Sequence, residues 1–214
     1  MNKNMIDSAK AALELLIQQN IRRFPVDMQT LIKQIPNIKL LTYRQAAAQL
    51  EMTLEELEWL FPSQDAFTLR AMKNTEKRFL ICYQDQLSPA RKRFTLAHEL
   101  AHVLLEHGNE GSTEDAQANC FAQHLLCPRP VLRLLSPDGA PLSQEVLCKT
   151  FGLSPAAIRR VLASPSPLPD DNALEIQLYR QLTPVIALTD DCGSGDAIDL
   201  SVYLNNGVQQ GARI

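Results

Sequence analysis

Arg93-Phe-Thr-Leu-Ala-His-Glu-Leu-Ala-His-Val-Leu-Leu-Glu-His-Gly108 is the stretch whose reading decides this chain. Its apolar residues recur at helical spacing and Gly108 stops them, which predicts a helix over Phe94–His107. On that helix His98 and His102 lie one turn apart along the axis and about 40° apart around it. Two imidazoles so placed can bind one tetrahedral metal ion. Glu99 follows the first of them directly, where a carboxylate reaches a water beside the metal without ligating the metal itself. A cation that acidifies water, with a carboxylate to take the proton, is the apparatus for hydrolysing a carbonyl compound. A chance H-E-x-x-H is improbable in a chain with 4 histidines. Leu96, Ala97, Leu100, Ala101 and Val103 would bury the helix and leave its polar groups on one stripe.

Two histidines leave such a site short of a protein ligand. The next helical stretch, Ser112–Leu126, places Asp115, Ala118, Asn119 and Ala122 on one face. The alanines allow close approach, Asp115 offers a carboxylate, and Asn119 offers an amide that could fix the tautomer of a ligating imidazole. Asp115 could instead serve as the second half of a capping box with Ser112. Glu114, one residue earlier, is the rival ligand. His107 is nine residues beyond His98, and His124 nine beyond Asp115, so each falls about 180° from the metal face of an ideal helix. Both are expected to be exposed polar residues.

Outward from this block, the 214 residues have a net charge of −3 and 45% hydrophobic content, ordinary for a soluble globular protein. The charge is unlike the basic footprint of a dedicated nucleic-acid binder. No stretch has the length of a membrane span, and no signal peptide is evident. The five cysteines are scattered without C-x-x-C spacing, which fits free thiols in a cytoplasmic protein.

Upstream, helices are predicted over Ile6–Ile21 and Pro25–Ile35, the second opened by its proline. A strand over Ile38–Tyr43 and short helices over Tyr43–Met52 and Leu54–Phe61 follow, the last with a capping box from Thr53 to Glu56. Ala66–Ala71 and Arg78–Tyr83 form a strand pair with a turn at Lys73–Glu76. Downstream, Gln144–Phe151 and Ser154–Leu162 form a helical pair, with Ser154 as cap and Pro155 in the first turn. Ser164–Pro169 is proline-rich and extended. Ala173–Leu182 is a further helix, and Val202–Leu204 a candidate strand in a polar tail.

The block from Phe79 to Pro128 resembles the ImmA/IrrE family of metallopeptidases. It carries a strand, then R-x-R-F-T-L-A-H-E-L-A-H from Arg91 to His102, then D-A-Q-A-N-C-F-A-Q-H-L-L-C-P from Asp115 to Pro128. The resemblance implies an α+β, mainly helical fold with a small thermolysin-like sheet beside the H-E-x-x-H helix. It implies zinc on His98, His102 and an acidic residue, which favours Asp115 over Glu114; by ligand type, manganese and iron are the other candidates. The family commonly has Glu at that position, so Asp115 is one methylene shorter; Ala101 stands where Gly is usual, and Cys127 where Met is. Members commonly cleave or inactivate helix-turn-helix repressors in phage, mobile-element or stress regulons. Strand Arg78–Tyr83 is expected to offer the edge along which a peptide substrate pairs.

The expected organisation is a metallopeptidase-like domain over residues 1–163, with the helical pair at 142–163. A linker at 164–172 and a C-terminal helix and weakly ordered tail at 173–214 complete it. The expected function is a zinc metalloendopeptidase with Glu99 as general base, acting on a protein substrate and binding neither nucleic acid nor membrane. One competing reading is a metal-binding regulator that holds a repressor without cutting it. Another is a DNA-binding module on Gln144–Leu162, using Lys149, Arg159 and Arg160 against phosphates. A metzincin is a poor fit, because position 105 is Leu where that motif requires Gly.

Overall fold

The computed structural model describes residues 2–61, 65–108 and 111–186. In chain order its elements are α1 (Lys3–Gln18), α2 (Met28–Gln34), β1 (Ile38–Thr42), α3 (Tyr43–Gln49), α4 (Leu54–Leu60), β2 (Ala66–Lys73), β3 (Glu76–Tyr83), α5 (Pro89–Leu104), α6 (Ser112–Leu126), α7 (Arg129–Leu135), α8 (Gln144–Phe151), α9 (Pro155–Ala163) and α10 (Ala173–Ile186). The class is α+β and mainly helical, as expected. The chain divides into two compact units, residues 27–122 and residues 1–26 with 123 onward. Val202–Leu204 lies outside the described residues.

The unit over 27–122 is built on a three-stranded sheet of order β1-β3-β2. β1 runs parallel to β3, pairing Ile38 with Phe79 and Thr42 with Tyr83. β2 runs antiparallel to β3, pairing Ala66 with Tyr83 and Lys73 with Glu76. Asn74 and Thr75 close the hairpin with φ of 50° and 68°, the two positive values that a tight two-residue turn requires. Alternation along the strands divides the sheet's two faces. Phe67 and Cys82 belong to a core with Leu41, Tyr43, Ala46, Ala47 and Leu57. Phe61 stacks on Phe67 with ring centroids 4.2 Å apart. The opposite face presents Thr68 and its register partner Ile81, and Thr68 bonds to a side chain of α5.

The sheet order overturns one expectation. β3 is hydrogen-bonded on both sides, so Arg78–Tyr83 has no edge to offer a peptide. The edge beside α5 is β2. A hairpin in sequence does not reveal which of its strands takes a third partner; the parallel pairing with distant β1 decides it.

Helix starts also differ from expectation where local capping outweighs apolar periodicity. α2 begins at Met28 because Asp27 accepts from the backbone N–H of Gln29 and Thr30, both at 3.1 Å; Pro25 lies outside, after a cis peptide bond. α5 begins at Pro89, capped by Ser88, five residues before the apolar pattern emerges from Arg91-Lys-Arg93. Thr42 and Thr53 each form a complete capping box, with Gln45 and Glu56 respectively.

In the other unit α10 packs against α1 and α7. α7 follows Pro128 at once, with Pro130 in its first turn. The segment expected as a linker is fastened here by Arg129. Its guanidinium donates to the Leu168 and Pro169 carbonyls at 2.9 and 3.1 Å, to Asp170 at 3.0 Å and to Glu175 at 2.8 Å. Glu175 is buried, so the bond to Arg129 offsets the desolvation of its carboxylate. His124 is also buried, contrary to expectation, with Nε2 3.2 Å from the Ser166 hydroxyl. In the α8–α9 pair, Arg159 donates to Gln144 at 3.0 Å, which occupies one of the three cations considered for phosphates. Cys82, Cys127 and Cys148 are free thiols. Among the described residues no helix is long and apolar enough to cross a membrane.

Candidate metal centre

The site belongs to the 27–122 unit and grows from α5. Leu96, Ala97, Leu100, Ala101 and Val103 are its buried face and fix its rotation. That rotation leaves His98, Glu99 and His102 lining a cleft of about 580 Å³ whose opposite wall includes Thr68, Arg70 and Phe79 of the sheet. The volume is in the range of ordinary ligand clefts.

The two imidazoles present Nε2 atoms 3.0 Å apart. Asp115 of α6 places Oδ1 at 3.9 Å from His98 Nε2 and 3.7 Å from His102 Nε2. With metal–ligand bonds of about 2.0–2.1 Å, tetrahedral ligand atoms stand about 3.3 Å from one another. The three observed separations bracket that value, so the donor set fits a zinc-sized cation with little movement. His98, His102 and Asp115 are also the described His, Cys, Asp or Glu residues that group closely enough to hold a metal ion. Glu114, the rival, is not in that group; its Oε2 lies 2.7 Å from where a Cβ on Gly111 would stand. The half-exposed Asp115 carboxylate, 53% accessible, forms the open side of the site.

Electrostatics favour the neutral ligand form. The His102 pKa is pushed down to about 4, first by burial and then by the neighbouring His98 and His107, against a smaller opposing pull from Asp115 and Glu114. His102 is therefore uncharged at neutral pH, as an imidazole ligand must be. The Asn119 expectation is met: its Oδ1 lies 3.2 Å from His98 Nδ1, on the far side of the ring from the metal position.

Glu99 stands outside the three grouped donors. Its Oε2 accepts a 2.7 Å hydrogen bond from the Thr68 hydroxyl, across the cleft from α5 to β2. Thr68 was not singled out in the sequence. The signal available was alternation, which puts it with Ala66 and Arg70 on the face of β2 opposite Phe67.

His107 also stands elsewhere than the ideal helix implied. α5 ends at Leu104, and Glu106 takes a left-handed φ of 54°. The Glu106 and His107 N–H groups then bond back to the Val103 and His102 carbonyls, which is a Schellman turn. The turn swings His107 round to the cleft, with Nδ1 3.0 Å from His102 Nδ1 and Nε2 3.3 Å from Gln117 Oε1. Extrapolating 100° per residue past the end of the helix is what misplaced it.

A family model, Peptidase_M78, described as the IrrE N-terminal-like domain, matches residues 59–162. The match contains β2, β3 and α5, with His98, Glu99, His102 and Asp115. No curated protein matches the chain.

Proposed function

We propose that the chain is a zinc-dependent metalloendopeptidase, a reading supported by the match of residues 59–162 to the Peptidase_M78 family model. The observation that carries this reading is one cleft holding three metal donors and, beside them, a carboxylate tied to the opposite wall. His98, His102 and Asp115 would hold the ion. Zinc suits two imidazoles and a carboxylate, with manganese the alternative for the same set. When bound, the ion supplies Lewis acidity toward the scissile carbonyl and toward water.

The residues of the chain do the remainder. Glu99 takes the proton of the attacking water and returns it to the departing amine, a role its place next to His98 in α5 suits. Thr68 fixes one carboxylate oxygen and so the plane in which the proton is received. β2, the sheet edge on this side, can align an extended peptide by main-chain pairing across the cleft. Arg70 and Phe79, register partners on the cleft side, then border its side chains.

The family resemblance supplies the substrate we propose, a helix-turn-helix repressor in a phage, mobile-element or stress circuit, cleaved in the cytoplasm. The test is Glu99→Gln, which keeps shape and metal donors but cannot accept a proton. Cleavage of a repressor encoded beside the gene should fall by about 10²–10⁴-fold at equal zinc occupancy. Equal rates for the two proteins would remove Glu99 as base. Tight repressor binding with no cleavage by either would establish the non-catalytic regulator instead.

A further inference from the structure

We propose that Gln117 and His107 form a tautomer relay that keeps the His102 Nε2 lone pair directed at the metal position. The inference rests on the metal-centre reading above and assigns roles to two residues outside the donor set.

Gln117 Oε1 faces His107 Nε2 at 3.3 Å. An amide oxygen only accepts, so His107 Nε2 carries the hydrogen. A neutral imidazole has one N–H, so His107 Nδ1 presents a lone pair. That atom faces His102 Nδ1 at 3.0 Å, and the contact is a hydrogen bond only if His102 Nδ1 is the donor. His102 Nε2 is then bare, and it is the atom that faces His98 Nε2 and Asp115. Asn119 Oδ1 imposes the same tautomer on His98. Both Nε2 lone pairs consequently point into one small space, a repulsive arrangement that a cation relieves. Turning the Gln117 amide over would reverse every step and place a hydrogen on His102 Nε2, where it blocks ligation.

Both His107 nitrogens are engaged in this relay. His107 is therefore a positioning residue and not the group that stabilises a developing oxyanion. The Schellman turn at Glu106 is what delivers it to His102, and Gln117 lies on the same helix as Asp115, so α6 sets both a ligand and the tautomer of another.

The experiment uses the full chain stripped of metal. Zinc affinity is measured by competition with a chromophoric chelator, and His102 tautomers are read by long-range ¹H–¹⁵N correlation in the metal-free protein. Wild type should show His102 protonated on Nδ1. His107→Phe should lose that preference and bind zinc about 10–100-fold more weakly, the usual effect of removing a residue that orients a ligand. Gln117→Leu should weaken binding in the same direction. Gln117→Glu, an acceptor that cannot be turned over, should match or exceed wild type, and this keeps the test sharp if His107→Phe folds poorly. Wild-type affinity and an unchanged His102 tautomer in both His107→Phe and Gln117→Leu would overturn the relay while leaving the metal centre standing. A wild-type chain that takes up no zinc would overturn the metal-centre reading and the relay with it.

Discussion

Replacing Thr68 by Val removes one hydroxyl and almost nothing else. Valine keeps the β-branched shape that the strand favours, and the substitution removes none of the three metal donors, so zinc content should not change. What is lost is the 2.7 Å bond to Glu99 Oε2. A hydrogen bond to a charged group contributes about 1.5–3 kcal/mol. Thr68 is half-buried, which puts the expected loss at the lower end of that range. At about 1.4 kcal/mol per tenfold in rate, kcat should fall about 10-fold. The bond orients the base and does not grip substrate, so KM should stay near wild type. Thr68→Ser, which retains the hydroxyl, should recover most of the activity. The assay is steady-state cleavage of a fluorescently labelled unfolded protein at matched zinc occupancy. Wild-type kcat in Thr68→Val would refute the idea that β2 positions the base.

Three further outcomes are expected. Asp115→Ala should weaken zinc binding far more than Glu114→Ala in a chelator competition, because only Asp115 lies with the histidines; the reverse order would move the ligand by one residue. Glu106→Gly should raise stability by about 0.5–1 kcal/mol, since glycine adopts the observed φ of 54° without strain and the exposed Lys77 pair that it gives up is worth little; a lower melting temperature would contradict the Schellman assignment. The metal-free protein should lose stability as the pH falls from 6.5 toward about 4, read from urea midpoints. Over that window the unfolded His102 binds a proton that the folded one, with its depressed pKa, does not, so its contribution is present above 6.5 and lost on acidification. A His102→Gln protein should lack that component of the pH dependence.

The parts of the site that were legible in the sequence are those fixed by one helical period. His98, Glu99 and His102 sit on one helix, and Asp115 and Asn119 on another, so spacing alone gives the face of each. The choice of Asp115 over Glu114 needed the family resemblance in addition; in the structure it is the Asp115 carboxylate that groups with His98 and His102. What stayed hidden depends on chain reversals and on long-range pairing. His107 comes to the site through a left-handed residue after the helix, at a glutamate that gives no hint of positive φ. Thr68 reaches Glu99 only because β2 is the strand on that side, a matter decided by β1 pairing with β3 from some forty residues away. α7 was hidden because a proline reads equally as the end of one helix and the start of the next.

The central claim is most directly tested by counting zinc. Native mass spectrometry of the full chain, purified without added metal and then given one equivalent of zinc, should show one ion per wild-type chain. The His98→Ala/His102→Ala double variant should show none at the same zinc concentration. A wild-type chain that remains metal-free under those conditions, or a double variant that binds as well as wild type, would contradict the account.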